Sequence, residues 1–193
     1  MSARYRENQV PSQVGKTAFV TGANTGIGFD TARVLAEKGA RVLLGCRDEQ
    51  RAWKAMTAIR ARAPRASLAW VELDLTSLAS IRSASEQVLA EGQLDLLVNN
   101  AGVMVPPKTR TQDGFELQFG VNHLGHFALT GHLLPLLKQQ PDARIVTVSS
   151  LAHRGGKIDF DDLQADRSYS RMKRYQMSKL ANILFTLALS EKL

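Results

Sequence analysis

The sequence predicts an α/β fold in which helices cover both faces of a parallel sheet. Short β-prone runs alternate with helical stretches along the chain, and a glycine-rich turn follows the first run. When helices connect successive strands, the strands lie parallel and the crossovers are right-handed. The 193 residues, 44% of them hydrophobic, are enough for one core. We therefore expect a single three-layer α/β/α domain spanning residues 1–193, with residues 1–14 as an N-terminal arm.

The predicted elements are bounded by changes in hydrophobic periodicity. Strands are expected at residues 17–20, 41–44, 68–73, 94–98 and 144–148. Helices are expected at residues 27–38, 49–62, 78–90 and 175–192, with a long apolar-periodic segment at 115–137. In such doubly wound sheets a ligand binds at the carboxyl ends of the strands, where the strand order reverses.

Charge and composition narrow the function classes. The net charge of +7 comes from basic residues that are scattered and interleaved with acidic ones. This pattern favours a solvated surface over nucleic-acid binding, and a positive field would equally attract a phosphate-bearing cofactor. A nucleic-acid-associated domain is the weaker alternative, supported by charge alone.

Targeting and metal signals are lacking in the sequence. No stretch of about 18 apolar residues occurs, and the polar start has no signal-peptide pattern. We expect no membrane anchor and a cytoplasmic location, which also suits the single cysteine, Cys46. His123, His126 and His132 are close in sequence, but no carboxylate completes a ligand set, so we expect no metal.

The glycine-rich turn TGANTGIG lies between the first strand and the first helix. Glycines at these positions let the backbone approach a pyrophosphate, whose charge is met by the N-terminus of the helix. The turn therefore predicts a dinucleotide site that contains Gly22, Asn24, Thr25, Gly26, Ile27 and Gly28.

The end of the second strand bears on which dinucleotide binds. An acid there would bind the adenosine ribose, whereas a nearby arginine accommodates a 2′-phosphate. Cys46 stands where the acid is expected and Arg47 follows it, which favours NADP(H). The alternative is that Asp48 binds the ribose and NAD(H) is the cofactor, but Asp48 is also well placed to cap the next helix. Asp74, after the third strand, either faces the adenine or caps a helix.

A candidate acid/base pair lies in the last predicted helix. Tyr175 and Lys179 are four residues apart in YQMSK and so share one helix face. An ammonium group beside a phenol favours the phenolate and makes proton transfer near neutral pH feasible. The spacing by itself is common and equally describes an ordinary helix face.

Five motifs in order make the interpretation specific. TGANTGIG, NNAG, VNHLGHF, VSS and YQMSK follow one another from about Lys16 to the end of the chain, and this order resembles the short-chain dehydrogenase/reductase family. The resemblance implies a Rossmann-like fold and hydride transfer between nicotinamide and a carbonyl or alcohol substrate, which we expect to be apolar. It also implies catalytic roles for Asn122, Ser150, Tyr175 and Lys179, and cofactor contacts for Asn99, Ala101, Gly102, Tyr175 and Lys179.

Those roles come from the family alone. In this family the serine hydrogen-bonds the substrate oxygen, and the tyrosine exchanges a proton with that oxygen. The lysine holds the nicotinamide ribose, and the asparagine keeps a water molecule in the proton relay. The readings of Ser150 as a helix cap and of Asn122 as a packing residue that bends its helix stay open. Pairing of two copies through the last helix is a further expectation from the family.

Within the family the motif wording is similar to the retinol dehydrogenase and WW-domain oxidoreductase group, with protochlorophyllide reductases as the in-family alternative. The family pattern continues past the last helix with further strands, so we expect a C-terminally truncated sheet that lacks its last strands. The other hypothesis is therefore a truncated, non-catalytic cofactor-binding or interaction protein.

Overall fold

The computed structural model describes residues 6–193, and within them five strands form one parallel sheet in the order β3-β2-β1-β4-β5. The strands are β1 (Thr17–Thr21), β2 (Arg41–Cys46), β3 (Leu68–Glu72), β4 (Leu96–Asn99) and β5 (Arg144–Thr147). The chain winds outward from β1 to β3 and then returns to the other side of β1. The expected doubly wound sheet is therefore confirmed.

Helices lie on both faces of this sheet. They are α1 (Gly26–Glu37), α2 (Glu49–Arg62), α3 (Leu78–Leu89), α4 (Leu117–Phe119), α5 (Gly125–Leu137) and α6 (Arg171–Ser190). Alternate residues of a strand point to opposite faces, so Ala18 and Val20 pack with α1 and α2 while Phe19 packs with α3 and α5. The three-layer α/β/α arrangement follows from these two cores.

The long segment predicted at residues 115–137 is not one regular helix. It consists of α4, a π-helical turn (Gly120–Leu124) and α5. Glu116 starts α4, since its carboxylate accepts the backbone N–H groups of Gln118 and Phe119 at 3.0 and 2.8 Å. Asn122 lies at the centre of the π-helical turn. The expectation that Asn122 distorts its helix agrees with this geometry.

The last helix starts four residues earlier than its sequence pattern predicts. It begins at Arg171 because buried Arg174 extends the packed face towards the N-terminus, whereas hydrophobic periodicity registers only apolar residues. At the other end of this helix, Leu184 and Leu187 are 47% and 56% exposed, so its apolar side chains are only partly covered. Strand β5 bonds only β4 within the described sheet and leaves Val146 49% exposed. An open edge at β5 agrees with the expected sheet that lacks its last strands.

Part of the predicted N-terminal arm lies outside the described residues, namely residues 1–5. The rest is bound to α1. Glu7 pairs with Arg33 at 2.7 Å, and Arg33 also pairs with Asp30 and Glu37. Because the Arg33 side chain is only 6% exposed, this cluster anchors the arm to the first helix.

A buried histidine joins the carboxyl end of β1 to α5. His126 Nδ1 faces the carbonyl oxygen of Asn122 at 3.1 Å, and a carbonyl only accepts, so Nδ1 carries the hydrogen. Nε2 then accepts from the hydroxyl of Thr21 at 2.9 Å. The Thr21 oxygen in turn accepts the backbone N–H groups of Asn100 and Ala101 at 2.9 and 3.0 Å. These bonds fix the turn after β4 relative to β1 and α5.

This arrangement predicts a pH-dependent stability. Burial lowers the pKa of His126 to about 4, against 6.5 for a free histidine. Below pH 6.5 the unfolded chain therefore binds a proton that the folded chain does not, and the free energy of unfolding falls by about 3 kcal/mol as the pH drops from 6.5 to 4. Urea unfolding at a series of pH values should show this loss, and His126→Gln should lack it.

The control is His132→Gln, because His132 is an exposed histidine on α5. That variant should follow the unsubstituted protein across the same pH range. An equal loss of stability in the His126 and His132 variants would contradict the assigned state of His126.

Candidate active site

A cleft of about 880 Å³ opens at the carboxyl ends of the strands. It lies where the strand order reverses, between β1 and β4, as expected for a doubly wound sheet. Most of the residues predicted from sequence line it, namely Gly22, Asn24, Thr25, Ile27, Gly28, Arg47, Asp74, Ala101, Gly102, Ser150, Tyr175 and Lys179. Gly26, Asn99 and Asn122 are not among the lining residues.

The glycine-rich turn is packed too tightly for side chains. A Cβ atom on Gly28 would lie 2.3 Å from the carbonyl oxygen of Gly22 and 2.4 Å from Nδ2 of Asn100. Gly22 and Gly26 have φ angles of 66° and 57°, in the left-handed region that favours glycine. Gly26 therefore shapes the turn without lining the cleft. Thr25 makes no side-chain cap bond at the start of α1, so the first turn of this helix, which borders the cleft, has no side-chain cap.

The end of β2 presents arginines to the cleft. Asp48 caps α2 by accepting the N–H group of Arg51 at 2.9 Å, so its predicted capping role is confirmed. Cys46 is buried, and burial raises the pKa of its thiol to about 11, with Asp48 adding to the effect. Arg47 and Arg51 both line the cleft. Arg51 was not predicted from the sequence, although it lies on the first turn of the predicted helix, four residues after Arg47.

Asp74 lines the same end of the cleft but does not cap a helix. Its carboxylate accepts the N–H group of Thr76 at 2.9 Å, while Ser77 caps α3 through the N–H group of Ser80 at 3.2 Å. The capping alternative for Asp74 is therefore wrong. The other carboxylate oxygen of Asp74 accepts Nε2 of Gln112 at 3.3 Å, so both oxygens are held at the carboxyl end of β3.

The Asn-Ala-Gly turn after β4 lies at the centre of the cleft. Asn99 is buried beneath it, where Nδ2 donates to Thr130 Oγ1 at 2.9 Å. Asn99 therefore supports the turn rather than facing the cleft. Asn100, which the sequence analysis passed over, donates to the carbonyl oxygen of Thr21 at 2.8 Å. Gly102 brings the backbone close to the last helix, since a Cβ atom there would lie 3.6 Å from Nζ of Lys179.

Asn122 is buried with all of its amide groups occupied. Oδ1 accepts the N–H group of Val103 at 2.8 Å, and Nδ2 donates to the Val103 carbonyl at 2.9 Å and to Ser178 Oγ at 3.0 Å. Its side chain thus braces the chain after the Asn-Ala-Gly turn against α6. The expected contact with a relay water would have to use its main-chain carbonyl.

Two serines at the end of β5 have different surroundings. Ser150 caps a 3-10 turn (Leu151–Gly155) by accepting the N–H group of Ala152 at 3.2 Å. This bond leaves the Ser150 hydroxyl hydrogen free to donate into the cleft. Ser149 donates to the carbonyl oxygen of Lys179 at 2.7 Å and so ties β5 to α6. The capping and catalytic readings of Ser150 are therefore compatible.

Tyr175 and Lys179 meet on the cleft side of α6. The Lys179 ammonium lies 5.9 Å from the centre of the Tyr175 ring and donates to the Val148 carbonyl at 3.2 Å. Lys179 is only 5% exposed, and burial lowers its pKa. Among the described residues no carboxylate lies within ion-pair distance of it, although a buried ammonium usually requires several acceptors. Its remaining N–H groups can serve hydroxyl groups of a ligand.

No helix in residues 6–193 is long and apolar enough to span a membrane. In the same part of the chain, no three histidine, cysteine, aspartate or glutamate side chains gather in a metal-binding arrangement. His126 instead accepts a hydrogen bond from the Thr21 hydroxyl, as described above. The spacing of the histidines alone did not indicate this role.

Among curated proteins the chain is similar to retinol dehydrogenases. It is 52% identical to human retinol dehydrogenase 12 over 180 residues and 49% identical to mouse retinol dehydrogenase 14 over 190 residues. Each comparison covers 93% of this chain and 57% of the relative. The chain thus spans little more than half the length of these relatives.

Solved structures give the same result. An uncharacterized protein from Mycobacterium paratuberculosis is 43% identical with a TM-score of 0.86, covering 98% of this chain and 66% of that one. RhlG of Pseudomonas aeruginosa, solved as an NADP active-site complex, is 29% identical with a TM-score of 0.73, covering 94% of this chain and 67% of that one.

The family profile described as short chain dehydrogenase matches residues 16–193. With its strand order, its glycine-lined cleft and its Tyr175–Lys179 pair, the chain belongs to the short-chain dehydrogenase family.

Proposed function

We propose that this protein is an NADP(H)-dependent oxidoreductase that interconverts a carbonyl compound and an alcohol. The observation that carries the proposal is the buried Lys179 ammonium, which lacks a carboxylate partner among the described residues and lies beside Tyr175 and Gly102. A lysine with only a structural role would be paired with a carboxylate when it is buried this deeply. An ammonium that faces a cleft of dinucleotide size is suited to bind a polyol such as a ribose.

The nicotinamide cofactor, when bound, supplies or accepts the hydride. The glycine-rich turn and the uncapped start of α1 would hold its pyrophosphate. Lys179 would bind the nicotinamide ribose, and Gly102 would let that ribose approach the backbone. Gly28 supports this fit, because any larger residue would close the turn against Gly22.

The proton follows a separate route from the hydride. During reduction the Tyr175 hydroxyl donates its proton to the substrate oxygen, and during oxidation the tyrosine receives it back. The adjacent Lys179 ammonium stabilises the phenolate left behind. Ser150 donates its free hydroxyl hydrogen to the same substrate oxygen and orients it. Asn122 holds Val103, and through it the turn that bears Gly102.

The preference for NADP(H) rests on the end of β2. Arg47 and Arg51 offer two guanidinium groups, and the carboxylate of Asp48 beside them caps α2. Guanidinium groups suit a 2′-phosphate, whereas a free carboxylate would repel it. The NADP complex of RhlG, a relative of this chain, agrees with this choice.

The substrate side of the cleft is apolar. Val103 and Met104 line the same cleft as Tyr175, and Met104 is 62% exposed. These side chains favour an apolar carbonyl or alcohol, in keeping with the names of the retinol dehydrogenase relatives.

Pairing of two copies through the exposed Leu184 and Leu187 would cover the open face of α6. A reducing compartment such as the cytoplasm would suit the single cysteine, Cys46.

The role of Tyr175 can be tested by replacing it with phenylalanine. Tyr175→Phe should lower kcat by about a thousandfold, because general acid catalysis is lost. The dissociation constant for NADPH should stay within about threefold, since the ring remains in place. Oxidation of NADPH with a panel of aldehydes and ketones measures the first quantity, and nicotinamide fluorescence measures the second.

Lys179→Met is the companion variant, because it removes the ammonium that would hold the ribose. It should weaken both turnover and NADPH binding. Retained turnover in Tyr175→Phe would refute the assigned acid. Tight NADPH binding without turnover of any substrate would instead favour a non-catalytic cofactor-binding protein.

Cofactor preference can be tested at Arg47. Arg47→Asp should weaken NADPH binding by at least about tenfold and leave NADH binding little changed, since only NADPH carries the 2′-phosphate. Dissociation constants for both cofactors, measured at one ionic strength, check this expectation. Lys54→Asp is the matched control, because it makes the same change of charge at an exposed site on α2 outside the cleft. Equal affinities for the two cofactors before substitution would contradict the NADP(H) proposal.

A further inference from the structure

Residues 162–171 lead into α6, the helix that carries Tyr175. A buried ion pair holds them in place. Arg174 directly precedes Tyr175 and donates to Asp162 Oδ2 at 2.8 Å. The two side chains are only 7% and 4% exposed. Arg174 also donates to the carbonyl oxygens of Asp162 and Ser168 at 2.5 and 3.1 Å. This arginine thus binds residues 162–171 to the helix that carries Tyr175.

Asp162 organises the segment from the other side of the ion pair. Its carboxylate accepts the backbone N–H groups of Asp166, Arg167 and Ser168 at 2.7, 3.2 and 3.3 Å. Burial alone would raise the pKa of Asp162, but these donors and Arg174 outweigh it and lower the pKa. The carboxylate therefore stays ionised and fixes a turn. A carboxylate and a guanidinium this deeply buried are costly unless every partner is in place.

The same segment is bonded to the wall of the cleft. The Tyr169 hydroxyl donates to the Pro106 carbonyl at 2.9 Å. Buried Gln118 donates to the Arg171 carbonyl at 2.9 Å and accepts the N–H group of Val105 at 2.9 Å. Residues 103–106, which we call the cleft wall, begin with Val103 and Met104, which line the cleft, and continue with Val105 and Pro106, which follow them directly in the chain. A chain of bonds thus connects Tyr175's helix, through residues 162–171, to the cleft wall.

Two residues of this network have a left-handed backbone conformation. Among the described residues, only Val105 and Ala165 combine a side chain with a left-handed φ, at 49° and 57°. Such a conformation is unfavourable for a β-branched valine and persists only where surrounding contacts determine it. Val105 lies in the cleft wall and Ala165 lies in the turn that Asp162 organises. Strain concentrated at both ends of one bonded network is a mark of a functional constraint.

We propose that the Arg174–Asp162 pair sets the distance between Tyr175 and the cleft wall, and thereby selects the size of the apolar substrate. The inference rests on the proposed oxidoreductase function. Arg174 and Asp162 are positioning residues, since they contact neither the cofactor cleft nor its reacting groups. Their loss should loosen the cleft wall and leave the cofactor end intact. Large and small carbonyl substrates would then be distinguished less well.

The test compares Arg174→Met and Asp162→Asn with Lys173→Met, which removes an exposed charge from the adjacent position of α6. Trypsin cleavage after Arg167 reports release of residues 162–171 without requiring activity. It should be at least about tenfold faster in both pair variants, because a broken buried ion pair favours local opening. Lys173→Met should be cleaved like the unsubstituted chain. Unchanged cleavage in the pair variants would overturn the structural half of the inference.

Kinetics test the functional half. With NADPH and a series of aliphatic aldehydes of increasing length, both pair variants should raise KM for the long members by about tenfold, change kcat far less, and keep the NADPH dissociation constant within about twofold. Val105→Gly, which relieves strain without disturbing the ion pair, should also flatten the preference for chain length. An unaltered length preference in all three variants, or an equal loss for every aldehyde, would overturn the inference.

The two proposals fail in distinguishable ways. If the unsubstituted chain binds NADPH but reduces no aldehyde, the proposed function fails and the selectivity role falls with it. If the chain is active and the pair variants are cleaved faster but keep their selectivity, the proposed function stands and the positioning role is refuted.

Discussion

The hydroxyl of Thr21 is the point on which the site depends. It lies at the carboxyl end of the central strand, donates to neutral His126, and accepts two backbone N–H groups of the Asn-Ala-Gly turn. One oxygen therefore fixes β1, the turn after β4 and α5 in a single arrangement. The His126 ring extends the constraint to the carbonyl of Asn122, whose amide group braces Val103. This bond therefore positions both the turn after β4 and Val103, which line the cleft.

The regular elements and the glycine-lined end of the cleft could be predicted from the sequence, because their signals are local. Gly22 and Gly28 follow one β-prone run, and Arg47 follows the next. Because parallel strands end at the same edge of the sheet, residues that follow two such strands are expected to line one cleft. The Tyr175–Lys179 pair was readable for the same reason, since four residues make one helix turn. Boundaries were less accurate where polar residues such as Arg174 are buried.

What the sequence did not reveal are bonds between distant residues. Asn122 was expected to act on a relay water, but its side chain is occupied by Val103 and Ser178, which lie 19 and 56 positions away along the chain. The role of His126 depends on Thr21, 105 positions earlier. No periodicity marks such a pair. The substrate side is likewise built from irregular segments that tertiary hydrogen bonds hold in place, whereas the cofactor side is built from strand ends and a helix start.

We propose that residues 6–193 contain a formed dinucleotide site whose turn tolerates only glycine at position 28. Titration with NADPH, followed by the emission of its reduced nicotinamide, measures this most directly. The unsubstituted chain should bind saturably, and Gly28→Ala should lose binding by at least about tenfold, because the added Cβ would overlap Gly22 and Asn100. Gly131→Ala adds the same atom to open space on α5 and should bind normally. Equal binding by Gly28→Ala and Gly131→Ala, or no saturable binding by the unsubstituted chain, would contradict the claim.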